Sequence, residues 1–332
     1  MDYLSKELSC CLKGIFAIIV LIHHLYQYTG VHINFIVDIL MQSSGYLAVG
    51  IFFFISGYGI FILAQEKNYL KNFWKSRFLP LYLFYIVLIG MYLKWKIILG
   101  ISISEIDIVC SMLFGRTIAV AGWYLQCLFV VYILYYFIFK FTEKNKLRIV
   151  IMTLSMVMYC LICKMLKLPT TWYESIFCLI AGMLCAFYKD GLDDKIKVTP
   201  ILFGGTYIAQ FKLGIIFKMF SAVFFCVSII LLTYLLKETK VVQNKITNCL
   251  GKYSLEIYVA QGFFLIIRNG NRFNHINTVL FIAVVTIGTF VVALGLHQIY
   301  KLILNYSRLC RESGRKPHNY CILTAHCFSS IK

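Results

Sequence analysis

The 332-residue sequence predicts an all-α, polytopic transmembrane bundle of about ten spans with both termini cytoplasmic. Three observations predict it. First, 61% of the residues are hydrophobic and only 14% are charged, against about 45–50% and about 25% in soluble domains. A water-soluble globule of this length could not hide so much apolar surface, so an ordinary soluble enzyme, a disordered chain and a disulfide-stapled scaffold are all excluded. Second, the apolar residues fall in runs of the length a bilayer requires, about 20 residues at about 1.5 Å each. Third, the formal net charge of +18 sits in the gaps between those runs. In a soluble protein such a charge would suggest nucleic acid. Here membrane topology accounts for it, and no nucleic-acid partner is expected.

The runs place spans at 11–29, 45–65, 78–99, 121–140, 147–166, 172–188, 198–211, 213–236, 252–268 and 277–304. The seventh is short and is interrupted by Gly204–Gly205. Segment 101–120 alternates Ile, Ser, Glu and Asp before Gly115, which predicts a piece lying at the interface. The first run continues into a full span, so no separate signal peptide is expected. With the N-terminus placed inside, 23 of the 32 Lys and Arg face the cytoplasm, 8 face outward and Lys218 lies within a span. That asymmetry is a positive-inside pattern and places both termini in the cytoplasm. Residues 1–305 then form one membrane domain and 306–332 a basic cytoplasmic tail.

The 13 cysteines include Cys110, Cys127, Cys160 and Cys226 inside apolar runs, where they serve as small hydrophobes. The tail holds Cys310, His318, Cys321, His326 and Cys327, but their spacing matches no standard zinc site, and no metal is expected.

The first span carries the sharpest chemistry. Lys13 and His24 are eleven residues apart, which at about 100° per residue is three turns plus about 20°. They share one helix face about 16 Å apart along the axis, while His23 points about 100° away. Lys13 marks the cytoplasmic boundary and His24 lies deeper. Two readings fit. In one, Lys13 snorkels and His24 bonds a neighbouring helix. In the other, a cytosolic anionic cofactor with a long arm rests its phosphates near Lys13 and its reactive end near His24. Glu256 also lies within a span and needs a partner, for which Lys252, four residues earlier, is the simplest candidate.

At these residues the sequence resembles a known family. Lys13-Gly14-Ile15 to His24 is similar to the Arg/Lys-x10-His signature of the acyltransferase 3 family of integral-membrane O-acyltransferases. Gly45 to Tyr58 resembles that family's G-x-x-x-V-x-x-F-F-x-x-S-G-[FY] stretch, and Phe73-Trp74-Lys75-Ser76-Arg77-Phe78-Leu79-Pro80 its basic stretch ending in R-[IL]-x-P. Gly122-Trp123-Tyr124-Leu125 matches a W-[FY]-L element, and Leu250 to Tyr258 a late L-G-x-x-S-L-x-I-Y element. All five occur in family order. Gln261 stands where many members carry His, and Lys13 where most carry Arg.

The resemblance implies a multi-pass protein of the cell membrane. Its donor substrate would be acyl-coenzyme A, usually acetyl-coenzyme A, with no permanently bound cofactor. The acceptor would be a hydroxyl of a surface polysaccharide or lipid-linked saccharide. His24 would be the general base, with Ser56, Trp123 and Tyr124 as candidate donors to the oxyanion. Lys13, Lys75 and Arg77 would meet the cofactor phosphates, although topogenic charge also explains the lysines. Ser56-Gly57 also reads as a close-packing pair. Tyr258 and Gln261, three apart, would line the substrate cavity. The rival class is a transporter or flippase for a lipid-linked saccharide, with His24 and Glu256 as its proton or substrate sites; it calls for internal repeats and paired broken helices.

Overall fold

Ser5 and Asn34 open the first two helices. Each side chain accepts a hydrogen bond from a backbone N–H three residues on, Leu8 and Val37, at 3.1 and 2.9 Å. The computed structural model describes residues 4–66, 68–188, 198–236, 241–269 and 276–312, with side chains to Arg308. The helices in chain order are α1 (Lys6–Thr29), α2 (Phe35–Leu63), α3 (Tyr69–Phe73), α4 (Leu79–Leu99), α5 (Glu105–Met112), α6 (Gly122–Phe141) and α7 (Asn145–Met165). They continue as α8 (Phe177–Phe187), α9 (Thr199–Leu213), α10 (Ile215–Leu235), α11 (Lys245–Lys252), α12 (Ser254–Leu265) and α13 (Thr278–Glu312). Among the described residues there is no strand.

Among the described residues eight segments are long and apolar enough to cross a membrane, so the protein is a multi-pass membrane protein. The two expected spans that fall short are α9, with 15 residues, and α12, with 12. Both pack along longer helices, α9 on α10 and α12 on α13 and α1. Thr199 at the start of α9 lies 3.3 Å from Ser228 in α10, while Gln210 accepts from Tyr46 in the first half of α2 at 3.0 Å. Beyond α12, Arg268 donates to the Tyr28 carbonyl at the end of α1 at 2.9 Å. The face holding the start of α1 is called the near face below, and the opposite one the far face.

Two expectations change. α9 runs unbroken through Gly204–Gly205, so the interruption expected there is absent. The third span also begins before Pro80: the helix runs from Tyr69 to Leu99 through a π-helical turn at Trp74–Phe78. There the Leu79 N–H reaches back five residues to the Trp74 carbonyl. A proline removes one intrahelical donor and crowds the carbonyl four residues earlier. A widened turn just before Pro80 absorbs that crowding, and π turns often mark functional sites. The interfacial segment forms the short α5, capped by Ser104, whose side chain accepts from the Asp107 N–H at 3.1 Å.

α2 is the axis of the bundle, packed on α8, α1 and α10. It approaches α8 without room for side chains at the crossing. A Cβ on Gly57 would sit 2.0 Å from the Leu179 carbonyl oxygen, and one on Gly182 2.1 Å from that of Phe54. The Ser56-Gly57 pair thus does pack closely, with Gly57 at the contact. On the other side α1 crosses α11 through Gly14 and Gly251, where a Cβ on Gly251 would meet the Cys10 carbonyl oxygen at 2.0 Å. This contact fixes the rotation of α1 and hence where Lys13 points.

Candidate active site

A cavity of about 210 Å³ enters the near half of the bundle between α1, α2, α6, α12, α13 and the π turn. Lys13, Ser56, Arg77, Tyr124 and Tyr258 all line it. Its remaining wall is apolar or phenolic, with Phe52, Tyr69, Tyr132 and Tyr300 among the lining side chains. The two charged groups among the described lining residues are both cations, and no carboxylate lies there to neutralise them. Such a wall favours an anion at the mouth and an uncharged arm within. The volume is below the ~300–1,000 Å³ of a pocket that engulfs a drug-sized ligand. It therefore suits one arm of a larger molecule.

The cavity ends at an aromatic cluster. Tyr124 and Tyr258 pack edge to face with centroids 5.3 Å apart, and Phe52 lies 6.1 and 6.0 Å from them. The Ser56 side chain lies close to that of Tyr124, which puts two hydroxyl groups together at the cavity head.

His24 lies past this end and is not part of the lining. Its Nδ1 is 3.3 Å from Gln261 Oε1, and Gln261 Nε2 donates to the Tyr258 carbonyl at 2.9 Å. The second bond sets the orientation of the amide, so the oxygen of Gln261 faces the imidazole. His24 Nδ1 must then carry the proton and donate, which leaves Nε2 as a base. Gln261 is fully buried and, although bonded to Tyr258, is not among the residues that line the cavity, where it was expected with Tyr258. His23 turns to α2, with Nδ1 2.6 Å from the Met41 carbonyl oxygen.

Two further expected residues are elsewhere. Lys75 is exposed on the near face, and its backbone carbonyl accepts from Ser307 at 2.7 Å. Two residues apart on a helix is about 200° of arc, so Lys75 and Arg77 cannot both face the cavity. Trp123 lines a separate depression of about 400 Å³ on the far face, shared with Trp172, Lys96, Asp107 and Arg116. One residue apart, Trp123 and Tyr124 belong to two different cavities.

The structure also shows ionisable pairs that the sequence did not reveal. Glu256 meets His297 of α13, with Nδ1 2.9 Å from Oε1 and both side chains buried, so the partner is His297 where Lys252 was expected. The distance of 41 residues hid that pairing. Lys218, inside α10, bonds Glu174 Oε2 at 2.7 Å and lies over the Tyr46 ring at 4.6 Å. Among the described residues no cluster of His, Cys, Asp and Glu could hold a metal ion. The cysteine and histidine side chains of the tail lie outside the described residues.

The histidine held by an amide beyond a cationic cavity is the candidate site of this helical membrane bundle. The family comparison agrees: the model of the acyltransferase domain family, acyltransferase 3, matches residues 11–298, and the chain belongs to that family. No curated protein and no solved structure matches it.

Proposed function

We propose that the protein transfers an acyl group, acetyl in the first instance, from acyl-coenzyme A to a hydroxyl of a cell-surface polysaccharide or lipid-linked saccharide. The near face is cytoplasmic, the chain crosses the cell membrane ten times and both termini lie inside, in line with the 23-to-8 charge asymmetry. The donor phosphates rest at the near mouth beside Lys13 and Arg77, and the pantetheine arm fills the apolar cavity. The thioester then lies at the aromatic end, below Tyr124 and Tyr258.

His24 Nε2 takes the proton of the acceptor hydroxyl as its oxygen attacks the thioester carbonyl. Negative charge develops on the carbonyl oxygen, where the Ser56 and Tyr124 hydroxyls are the available donors. Collapse breaks the C–S bond, and the imidazolium returns its proton to the thiolate. The products are the ester and the free thiol, with no net proton released. Gln261 holds the tautomer throughout.

The observation that carries this reading is the cavity lined by Lys13 and Arg77 with no carboxylate among its described lining residues. It ends at Tyr258, one helical turn from the Gln261 that holds His24. Its test is donor affinity in purified protein. Arg77→Ala and Lys13→Ala should each weaken acetyl-coenzyme A binding about tenfold or more, from loss of a charge-assisted contact worth about 1.5–3 kcal/mol. Unchanged affinity in both variants would reduce the two cations to topogenic charge.

A further inference from the structure

The far-face depression that holds Trp123 lies against the wall of the proposed active site. Ile118 in its lining is followed two residues on by Val120, whose Cβ lies 2.9 Å from where a Cβ on Gly262 would stand. Gly262 follows Gln261, the residue that holds His24. On α6, Trp123 faces the depression while Tyr124 faces the inner cavity, and their rings are 6.2 Å apart. The two cavities therefore approach the His24–Gln261 pair from opposite faces of the bundle.

The chemistry of the depression is selective. Two of the four tryptophans of the chain line it. Interfacial tryptophans usually face the lipid headgroups. Trp172, however, is only 4% exposed and packs on Phe114 at 5.1 Å, so it belongs to the wall of the depression rather than to an aromatic belt. Trp123 is partly exposed and offers its ring to an occupant. Lys96 is half-buried, and Arg116 reaches Asp107 at 3.4 Å. The far face is poor in cations, with 8 of the 32 in the chain, yet two of them converge here against one carboxylate. An indole, a positive balance and a cation–carboxylate pair suit a polyhydroxylated ring bearing an anion.

On the acyl-transfer reading above, we propose that this depression is the acceptor subsite and that it takes an anionic saccharide. The sugar ring stacks on Trp123, its phosphate or carboxylate lies between Lys96 and Arg116, and Asp107 accepts from a ring hydroxyl. The target hydroxyl then points past the Val120 loop toward His24.

The test uses the full-length protein in nanodiscs and saturation-transfer NMR with three probes: glucose, glucuronate and glucose 1-phosphate. At least one anionic probe should bind about tenfold more tightly than glucose, and which of the two does so tells carboxylate from phosphate. Lys96→Gln should remove about tenfold of that preference and the exposed Arg116→Gln less, while glucose binding stays as it was. Trp123→Ala should abolish ring-proton transfer for all three probes. Equal affinity for glucose and both anions, or a preference untouched by Lys96→Gln and Arg116→Gln in protein that accumulates normally, would overturn the proposal. Acetyl-coenzyme A binding by the wild-type protein, measured in parallel, separates the two readings. Anion-selective binding without donor binding would leave the subsite standing and remove the acyl-transfer assignment, whereas donor binding without anion selectivity would do the reverse.

Discussion

Replacing Gln261 by Leu tests how the histidine is prepared for its role. The substitution puts an apolar side chain of similar bulk in a fully buried place and removes the oxygen that His24 Nδ1 meets at 3.3 Å. The two neutral tautomers of imidazole are close in energy, so one hydrogen bond decides between them. A net bond of about 0.5–1.5 kcal/mol corresponds to a preference of about 2- to 13-fold. At 3.3 Å the bond belongs in the lower part of that range. Without the bond the two tautomers approach equal population, so Gln261→Leu should lower kcat by at most about twofold and leave the KM for acetyl-coenzyme A unchanged, since neither Lys13 nor Arg77 is touched. Gln261→His, which restores the residue many family members carry, should recover most of the rate. The assay is initial-rate thiol release from purified protein, normalised to membrane abundance. A loss of 10²-fold or more in Gln261→Leu would refute the tautomer argument and make Gln261 a participant in the chemistry. An unchanged rate would show that His24 needs no orienting partner.

Two further outcomes are expected. Lys218→Ala should destabilise the bundle by about 1–3 kcal/mol, because Glu174 is left buried without its donor, whereas Lys218→Met with Glu174→Gln should lie near wild type; thermal unfolding in detergent reads both, and additive losses would show that the pair is not coupled. A reporter fused after Lys332 should read cytoplasmic and one in the link between α1 and α2 near Asn34 external; an external C-terminus would mean that α9 or α12 does not cross.

Much of the fold was legible because a bilayer leaves few choices: long apolar runs must become helices, since lipid satisfies no backbone group. The boundaries were less so. α2 begins at Phe35, ten residues before the expected 45, because Asn34 caps it, a local signal that hydropathy does not read. The shared arc of Lys13 and His24 follows from helix geometry, and both residues turn toward α12. The same arithmetic applied to Lys75 and Arg77 would have shown that this pair faces two ways, whereas neighbours such as Trp123 and Tyr124 can share a cavity, as Ser76 and Arg77 do. Motif resemblance alone treated them as units. The pairs Glu256–His297 and Lys218–Glu174 join residues far apart in the chain. Each partner was flagged only by being ionisable within an apolar setting, which signals a need but not the group that meets it.

The central claim is that His24 takes a proton, and His24→Gln tests it most directly. Glutamine retains a polar side chain that can bond Gln261, but it cannot act as a base at neutral pH. Transfer of labelled acetyl from acetyl-coenzyme A to membrane glycan should be measured in wild type and in His24→Gln, with membrane abundance as the control. The account predicts normal accumulation, intact donor binding and a rate lower by about 10²–10⁴-fold, roughly 3–5 kcal/mol of barrier. A His24→Gln protein that transfers acetyl at the wild-type rate would contradict it.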